Sequence, residues 1–118
     1  MRLKKYEFKC VNSTNDTAIK LIKKVNKKGI IFSDNQKRGK GRYGKRWISI
    51  KGNLFVSIFF QIKNKYKLKN INRKNCKILK SLLSKYVNNK IDIKYPNDLL
   101  INKKKICGIL HEIIFFKE

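Results

Sequence analysis

"KYPNDLLINKKKICGILHE", residues 94–112, reads as two short strands and the start of a third, broken at Pro96-Asn97 and reversed at Asn102-Lys103-Lys104. Proline removes a ladder donor and asparagine accepts turn geometry, so both residues punctuate strands. "IDIKYP" (91–96), "DLLI" (98–101) and "KICGILHEIIFF" (105–116) are therefore strands joined by short connections, which suit antiparallel pairing. Upstream, "YEFKCV" (6–11) alternates as a short strand and "IIFS" (30–33) reads as a buried one. "LFVSIFFQI" (54–62), entered through the turn Lys51-Gly52-Asn53, has the length and aromatic content of a central strand. Two helices complete the pattern. Ala18, Leu21, Ile22 and Val25 recur at helical spacing after the N-caps offered by "NSTND" (12–16), with Gly29 as the end; Leu79, Leu82, Leu83 and Tyr86 mark the second helix. The expected class is α+β: a mixed, largely antiparallel sheet with helices on one face.

A chain of 118 residues holds one domain at most, and no repeat or linker divides it. Only the Lys/Asn-rich "KNKYKLKNINRKN" (63–75) reads as an insertion-tolerant surface connection. The net charge of +24 attracts polyanions without sequence preference. Its source is lysine spread from end to end among many Asn and Ile residues, with five arginines (Arg2, Arg38, Arg42, Arg46, Arg73), a bias of composition more than a binding face. Cys10, Cys76 and Cys107 lack CxxC or Cys/His spacing, so three buried, reduced thiols are expected rather than a disulfide framework or zinc site. "MRLKKYEFKC" lacks the apolar core of a signal peptide, and no run approaches membrane-spanning length. A cytoplasmic protein with no membrane partner is the expectation.

The stretch "KRGKGRYGKRW" (37–47) packs three glycines, six cations and two aromatics together and contains a literal GxGxxG at Gly39, Gly41 and Gly44. A dinucleotide fingerprint needs that motif between a strand and a helix, whereas here strands lie on both sides. A Walker A loop fails on spelling. What remains is a loop whose backbone approaches a ligand closely while Lys40, Arg42, Lys45 and Arg46 neutralise a phosphate or carboxylate.

Taken together, "NSTND", "QKRGKGRYGKRW" (36–47) with "GNLFVS" (52–57), and residues 94–112 resemble, in order and approximate spacing, the catalytic domain of biotin protein ligases. The hallmark of that family is a Lys-Trp-Pro-Asn-Asp segment, then a strand, a turn and a Gly-Ile-Leu-x-Glu strand. The resemblance implies a class II synthetase-like biotin/lipoate ligase fold over residues 1–118, a partial catalytic domain incomplete at its C-terminus. It also implies that neither an N-terminal winged-helix domain nor a C-terminal barrel domain is present. The implied reaction uses ATP and Mg²⁺ to convert biotin to biotinyl-5′-AMP, then passes biotin to one lysine of a biotin carboxyl carrier protein, a subunit of acetyl-CoA carboxylase. No specific DNA partner follows from it, and a homodimer stays open.

The residue roles below are those the resemblance implies. Lys94 matches the catalytic lysine between the biotin carboxylate and the α-phosphate, and Arg42 the principal anion contact. Ser13, Thr14 and Asn15 match a segment that reaches the polar ring of biotin; an ordinary N-cap is the alternative. Gln36 matches a ligand-bonding glutamine. Gly39, Lys40, Gly41 and Arg42 match the loop that folds over biotin and the adenylate, and Gly108 a small residue against which the rings sit. Trp47, with a core role as its alternative, matches an aromatic at the adenine end. Asn97 and Asp98 complete the ATP set. Asp98 serves either to hold Mg²⁺ through phosphate-bound waters or to cap its turn, and no residue is a direct metal ligand. Glu112 reads as structural, and His111 receives no catalytic role.

Two positions depart from the family pattern. Lys40 replaces an arginine, and an ammonium cannot make the two-pronged contact of a guanidinium, so weaker adenylate retention is expected. Tyr95 replaces a tryptophan. Three other readings remain beside the ligase: an inactive remnant of one, a lipoate ligase, against which Lys-x-Pro-Asn-Asp argues, and a basic nucleic-acid-binding protein.

Overall fold

The N-terminal helix begins where Ser13 leaves extended geometry (φ −149°, ψ 150°) and accepts the Asp16 N–H on its hydroxyl oxygen at 2.9 Å. This computed structural model describes residues 2–62 and 67–115. Helix α1 (Thr14–Lys23) has Asp16 in its first turn and Lys20 and Lys23 in its last, the order favoured by the helix dipole. Its C-terminal end comes earlier than the apolar periodicity predicts. The Asn26 amide donates to the Leu21 carbonyl at 2.8 Å, and Val25 turns into the left-handed region (φ 68°) and is exposed instead of extending the helical face.

Strands β1 (Lys5–Val11), β2 (Gly29–Gln36) and β5 (Phe55–Phe59) form a sheet in the order β1-β2-β5, parallel between β1 and β2 and antiparallel between β2 and β5. Central position falls to β2, and the aromatic strand β5 lies beside it on the outside, a correction to its expected place. Gly29 is not a helix terminator. It opens β2, where a Cβ would meet the Phe59 ring at 2.7 Å, so the ring packs directly on backbone. Ala18, Ile31 and Phe59 form the core here, with Tyr6, Leu21 and Ile22 against it. Between β2 and β5, the short strands β3 (Gly39–Lys40) and β4 (Arg46–Trp47) make an antiparallel ribbon around one 3-10 turn at Arg42–Gly44.

These elements, with the segment from Glu112 onward, make up one compact unit; the second runs up to His111. In the second unit, strands β6 (Asp92–Lys94), β7 (Asp98–Ile101) and β8 (Lys104–Gly108) form the antiparallel meander predicted from residues 94–112. Asn102 and Lys103 take positive φ at the reversal. After Gly108 the described residues leave strand geometry, so the last strand is shorter than expected, and its expected end at 116 lies outside the described residues.

Helix α2 (Leu68–Leu83) corrects the reading of 63–75 as a connection, of which 63–66 lie outside the described residues. Its packed side carries Asn72 and Asn75 ahead of Cys76 and Leu79, and those polar residues interrupt the apolar periodicity. Leu79 and Leu83 pack on the core of Cys76, Ile91 and Leu99, whereas Leu82 is half exposed and Tyr86 lies beyond the helix end. All three thiols are unpaired. Cys76 is buried as expected, but Cys107 is half-buried and Cys10 exposed. Among the described residues no helix is long and apolar enough to cross a membrane. The elements give the expected α+β class with mixed pairing.

Leu99 is fully buried, so Leu99→Ala is expected to lower the unfolding free energy by about 3 kcal/mol in urea titration.

Candidate functional site

In the first unit, one buried polar network surrounds the start of α1. Ser13 and Thr14 are both buried. The Thr14 N–H donates to Gln36 Oε1 at 2.8 Å, and Gln36 Nε2 donates onward to the Ser49 hydroxyl at 3.1 Å. Ser57, on the buried side of β5, contacts the Thr14 hydroxyl at 2.7 Å and Asn15 Oδ1 more closely still. One hydroxyl has one proton, so both contacts are satisfied when Thr14 donates to Ser57 and Ser57 to Asn15. Gln36, Ser49 and Ser57 thereby fix the orientation of Thr14 and Asn15. Each hydrogen bond contributes about 1 kcal/mol net, but an orphaned buried partner costs about 1–3 kcal/mol, so the network holds as a set.

The glycine ribbon starts from the same network. A Cβ on Gly39 would lie 2.8 Å from the Trp47 carbonyl and 2.9 Å from both Gln36 Nε2 and Ser49 Oγ, so only glycine fits. Gly41 lies beside the half-buried Trp47 indole, and a Cβ there would meet nothing closer than 3.7 Å. The Gly41 N–H closes the 3-10 turn onto the Lys45 carbonyl at 2.7 Å. Tyr43 and Gly44 take left-handed backbone at its tip. Arg42 is exposed, with its guanidinium 5.4 Å from the centre of the Tyr43 ring.

Lys40 points elsewhere. Its ammonium lies 2.5 Å from Asp16 Oδ1 and 3.0 Å from Glu112 Oε1, the oxygen that also accepts the Asn15 side-chain N–H at 3.0 Å. Burial alone lowers the Lys40 pKa, but the two carboxylates outweigh it and hold the group above its ordinary 10.5. Sequence reasoning gave Glu112 a structural reading and missed Asp16, Ser49 and Ser57. Ser57 alone left a trace, as a polar residue at a buried position of the alternating "FVSIF".

The second unit aligns three more candidates across its strands. Lys94 pairs with Asp98 and Asp98 with Gly108, so these positions share one face of the meander. Lys94 is exposed. The Asp98 carboxylate is 3.1 Å from the Lys105 ammonium. Asn97 is buried. Its side-chain amide donates to the Ile109 carbonyl and its own carbonyl accepts the Ile109 N–H at 2.9 Å, stapling the Pro96-Asn97 turn to the segment after Gly108. Its Oδ1 has no hydrogen-bond partner among the described residues. The Cys76 thiol donates to the Pro96 carbonyl at 3.2 Å, and burial raises its pKa, as it does for Cys107, so neither is an activated nucleophile. Among the described residues no three His, Cys, Asp or Glu side chains group as a metal site. Asp98, paired as it is, fits a magnesium ion only where phosphate oxygens supply the other ligands.

His111 Nε2 lies 2.8 Å from the Asn75 amide nitrogen, while Nδ1 is buried without a partner among the described residues. Burial lowers the His111 pKa below its ordinary 6.5. The unfolded chain therefore takes a proton that the folded chain refuses. Stability present above pH 6.5 is lost as pH falls through the folded value. Urea titrations at descending pH are expected to show this loss, and His111→Gln to remove the part that His111 contributes.

Compared with known proteins, residues 7–117 match the biotin/lipoate A/B protein ligase family. The chain is 28% identical over 105 residues to the bifunctional ligase/repressor BirA of Escherichia coli, covering 87% of this chain and 33% of BirA. The Salmonella typhimurium BirA is 27% identical over the same length. Among solved structures, the Aquifex aeolicus biotin protein ligase in complex with biotin and ATP superposes with a TM-score of 0.81 at 26% identity, covering 93% of this chain and 47% of that one. The Helicobacter pylori biotin acetyl coenzyme A carboxylase synthetase with bound biotinylated ATP gives 0.80 at 23% identity, over 96% and 56%. The chain thus spans about a third of the curated relatives and about half of the solved ones.

Proposed function

The chain belongs to the biotin/lipoate A/B protein ligase family, and from that premise we propose that it activates biotin with ATP and delivers it to a protein lysine. A biotin carboxylate oxygen attacks the α-phosphorus of ATP, and pyrophosphate leaves. The lysine amine of the acceptor then attacks the acyl carbon of the mixed anhydride and AMP leaves. Both reactants of the first step are anions, so its barrier falls chiefly through preorganised positive charge.

The observation that carries the reading is the buried network at the start of α1. We assign Ser13, which caps the helix with a lone pair, and Gln36, which spends two of its four hydrogen-bonding valences on Thr14 and Ser49, to the polar ring of the ligand. A rigid cluster of small polar groups beside the close-packed Gly39 suits a compact, uncharged polar ring such as the ureido end of biotin. We assign Arg42 and Lys94 to the carboxylate and α-phosphate, Gly108 to the ring wall, Trp47 to the adenine, and Asn97 and Asp98 to the nucleotide. Asp98 would hold magnesium through waters on the triphosphate, where the ion would offset phosphate charge. Lys40, held by two carboxylates, is left out of direct anion binding. Biotin is preferred to lipoate because the Aquifex aeolicus relative is named in complex with biotin and ATP. The acceptor is a biotin carboxyl carrier protein. The spread lysines receive no DNA role, because such charge gives salt-sensitive attraction without sequence preference.

Incubation with biotin, magnesium and α-labelled ATP is expected to yield biotinyl-AMP, and Lys94→Ala to slow its formation by about 10²–10³-fold. Folded wild-type protein that forms none contradicts the proposal.

A further inference from the structure

Outside the groups assigned above, one charged cluster has a definite geometry: Lys40 of the ribbon, Asp16 of the first turn of α1, and Glu112. Glu112 Oε1 receives two donors, the Asn15 amide and the Lys40 ammonium, both at 3.0 Å, and Glu112 Oε2 lies 3.3 Å from the same ammonium. Asp16 Oδ1 approaches that ammonium from the helix side at 2.5 Å. About a third of each side chain's surface is open to water, 29% for Lys40, 42% for Asp16 and 32% for Glu112. Salt therefore reaches the cluster and weakens it.

We propose that Asp16 and Glu112 are positioning residues: they clamp the glycine ribbon to the start of α1 through Lys40, and Glu112 also fixes the Asn15 amide. The clamp has one positive and two negative members, so it orders the ribbon without offering a free cation. Arg42, two residues further on, is left exposed for an anionic ligand. An ammonium suits this duty, because it takes carboxylates from two directions without the planar fork of a guanidinium. The fixed Asn15 amide leaves Oδ1 toward Ser57 and Nδ2 toward Glu112, which sets the polarity of the surface next to Ser13. The consequence for ligand binding rests on the function proposed above; the clamp itself does not.

Trypsin reads the clamp directly, since the ribbon segment carries Lys37, Arg38, Arg42, Lys45 and Arg46. Cleavage between 37 and 46 is followed by mass spectrometry on ligand-free protein between about 0.05 and 0.5 M KCl. Wild-type cleavage is expected to accelerate with salt by about threefold, and D16N/E112Q to cleave about fivefold faster at low salt with that salt response lost. At the five sites other than residue 40, Lys40→Met is expected to match the double variant and Lys40→Arg, with its planar fork, to fall between it and wild type. Matching far-ultraviolet circular dichroism of the variants separates ribbon release from unfolding. A double variant cleaved at the wild-type rate with an unchanged salt response overturns the clamp. In the same samples, D16N/E112Q is expected to weaken biotin affinity about tenfold, whereas undetectable biotin binding by the wild type speaks against the proposed function and leaves the cleavage result to decide the clamp.

Discussion

The hydrogen bond from the Thr14 N–H to the side chain of Gln36 ties the start of α1 to the end of β2, and the rest of the first unit is arranged around it. Helix N-termini leave backbone donors without partners, and a buried one needs a side chain to satisfy it. Ser13 takes the Asp16 N–H and Gln36 takes that of Thr14. Gln36 occupies that position at the end of a strand that continues into the glycine ribbon. The same amide fixes Ser49 on the far side of the ribbon, and the space it leaves admits no side chain at residue 39. A cap, a strand end and a glycine are thus one construction. Replacing Gln36 orphans the Thr14 N–H, and a side chain at Gly39 collides with the Gln36 amide.

Electrostatics divides the chain differently from its composition. Seven acids cannot neutralise 31 lysines and arginines, so most cations are left to water. The acids are not spent at random. Asp16 and Glu112 converge on Lys40, Asp98 meets Lys105, and Asp92 lies 3.7 Å from Lys90. Three of these four contacts join candidate site residues, Lys40 and Asp98, to partners that hold them in place. The scarce carboxylates therefore fix geometry where a ligand is proposed to bind, and the excess of lysine supplies background charge.

Many of the candidate site residues stood out in the sequence because they are of rare kinds in fixed order. One proline, three of the six glycines and a single tryptophan mark the turn before Asn97, the ribbon and its closing strand. The antiparallel meander followed from two turn signals, although the register shift between Leu99 and Leu100 had no signature in the sequence. Helix α2 was half hidden because Asn72 and Asn75 occupy its packed side, and the polar pairing of Asn75 with His111 has no signature in a single sequence. Val25 was misread because a β-branched residue at helical spacing gives no warning of a positive φ. The partners of Lys40 stayed invisible for a simpler reason. Glu112 is 72 residues away, and no periodicity connects them.

The central claim is that a ligand carrying the ring and carboxylate of biotin binds at residues 13–15, 36 and 39–42. Two-dimensional amide NMR of ¹⁵N-labelled protein during titration with biotin to about 1 mM measures this residue by residue. Saturable shifts at Thr14, Asn15 and the amides from Gly39 to Arg42, with those of Ile31 and Phe59 in the core of the same unit unmoved, are the predicted result. A well-dispersed spectrum that biotin leaves unchanged, or one whose shifts fall elsewhere, contradicts it.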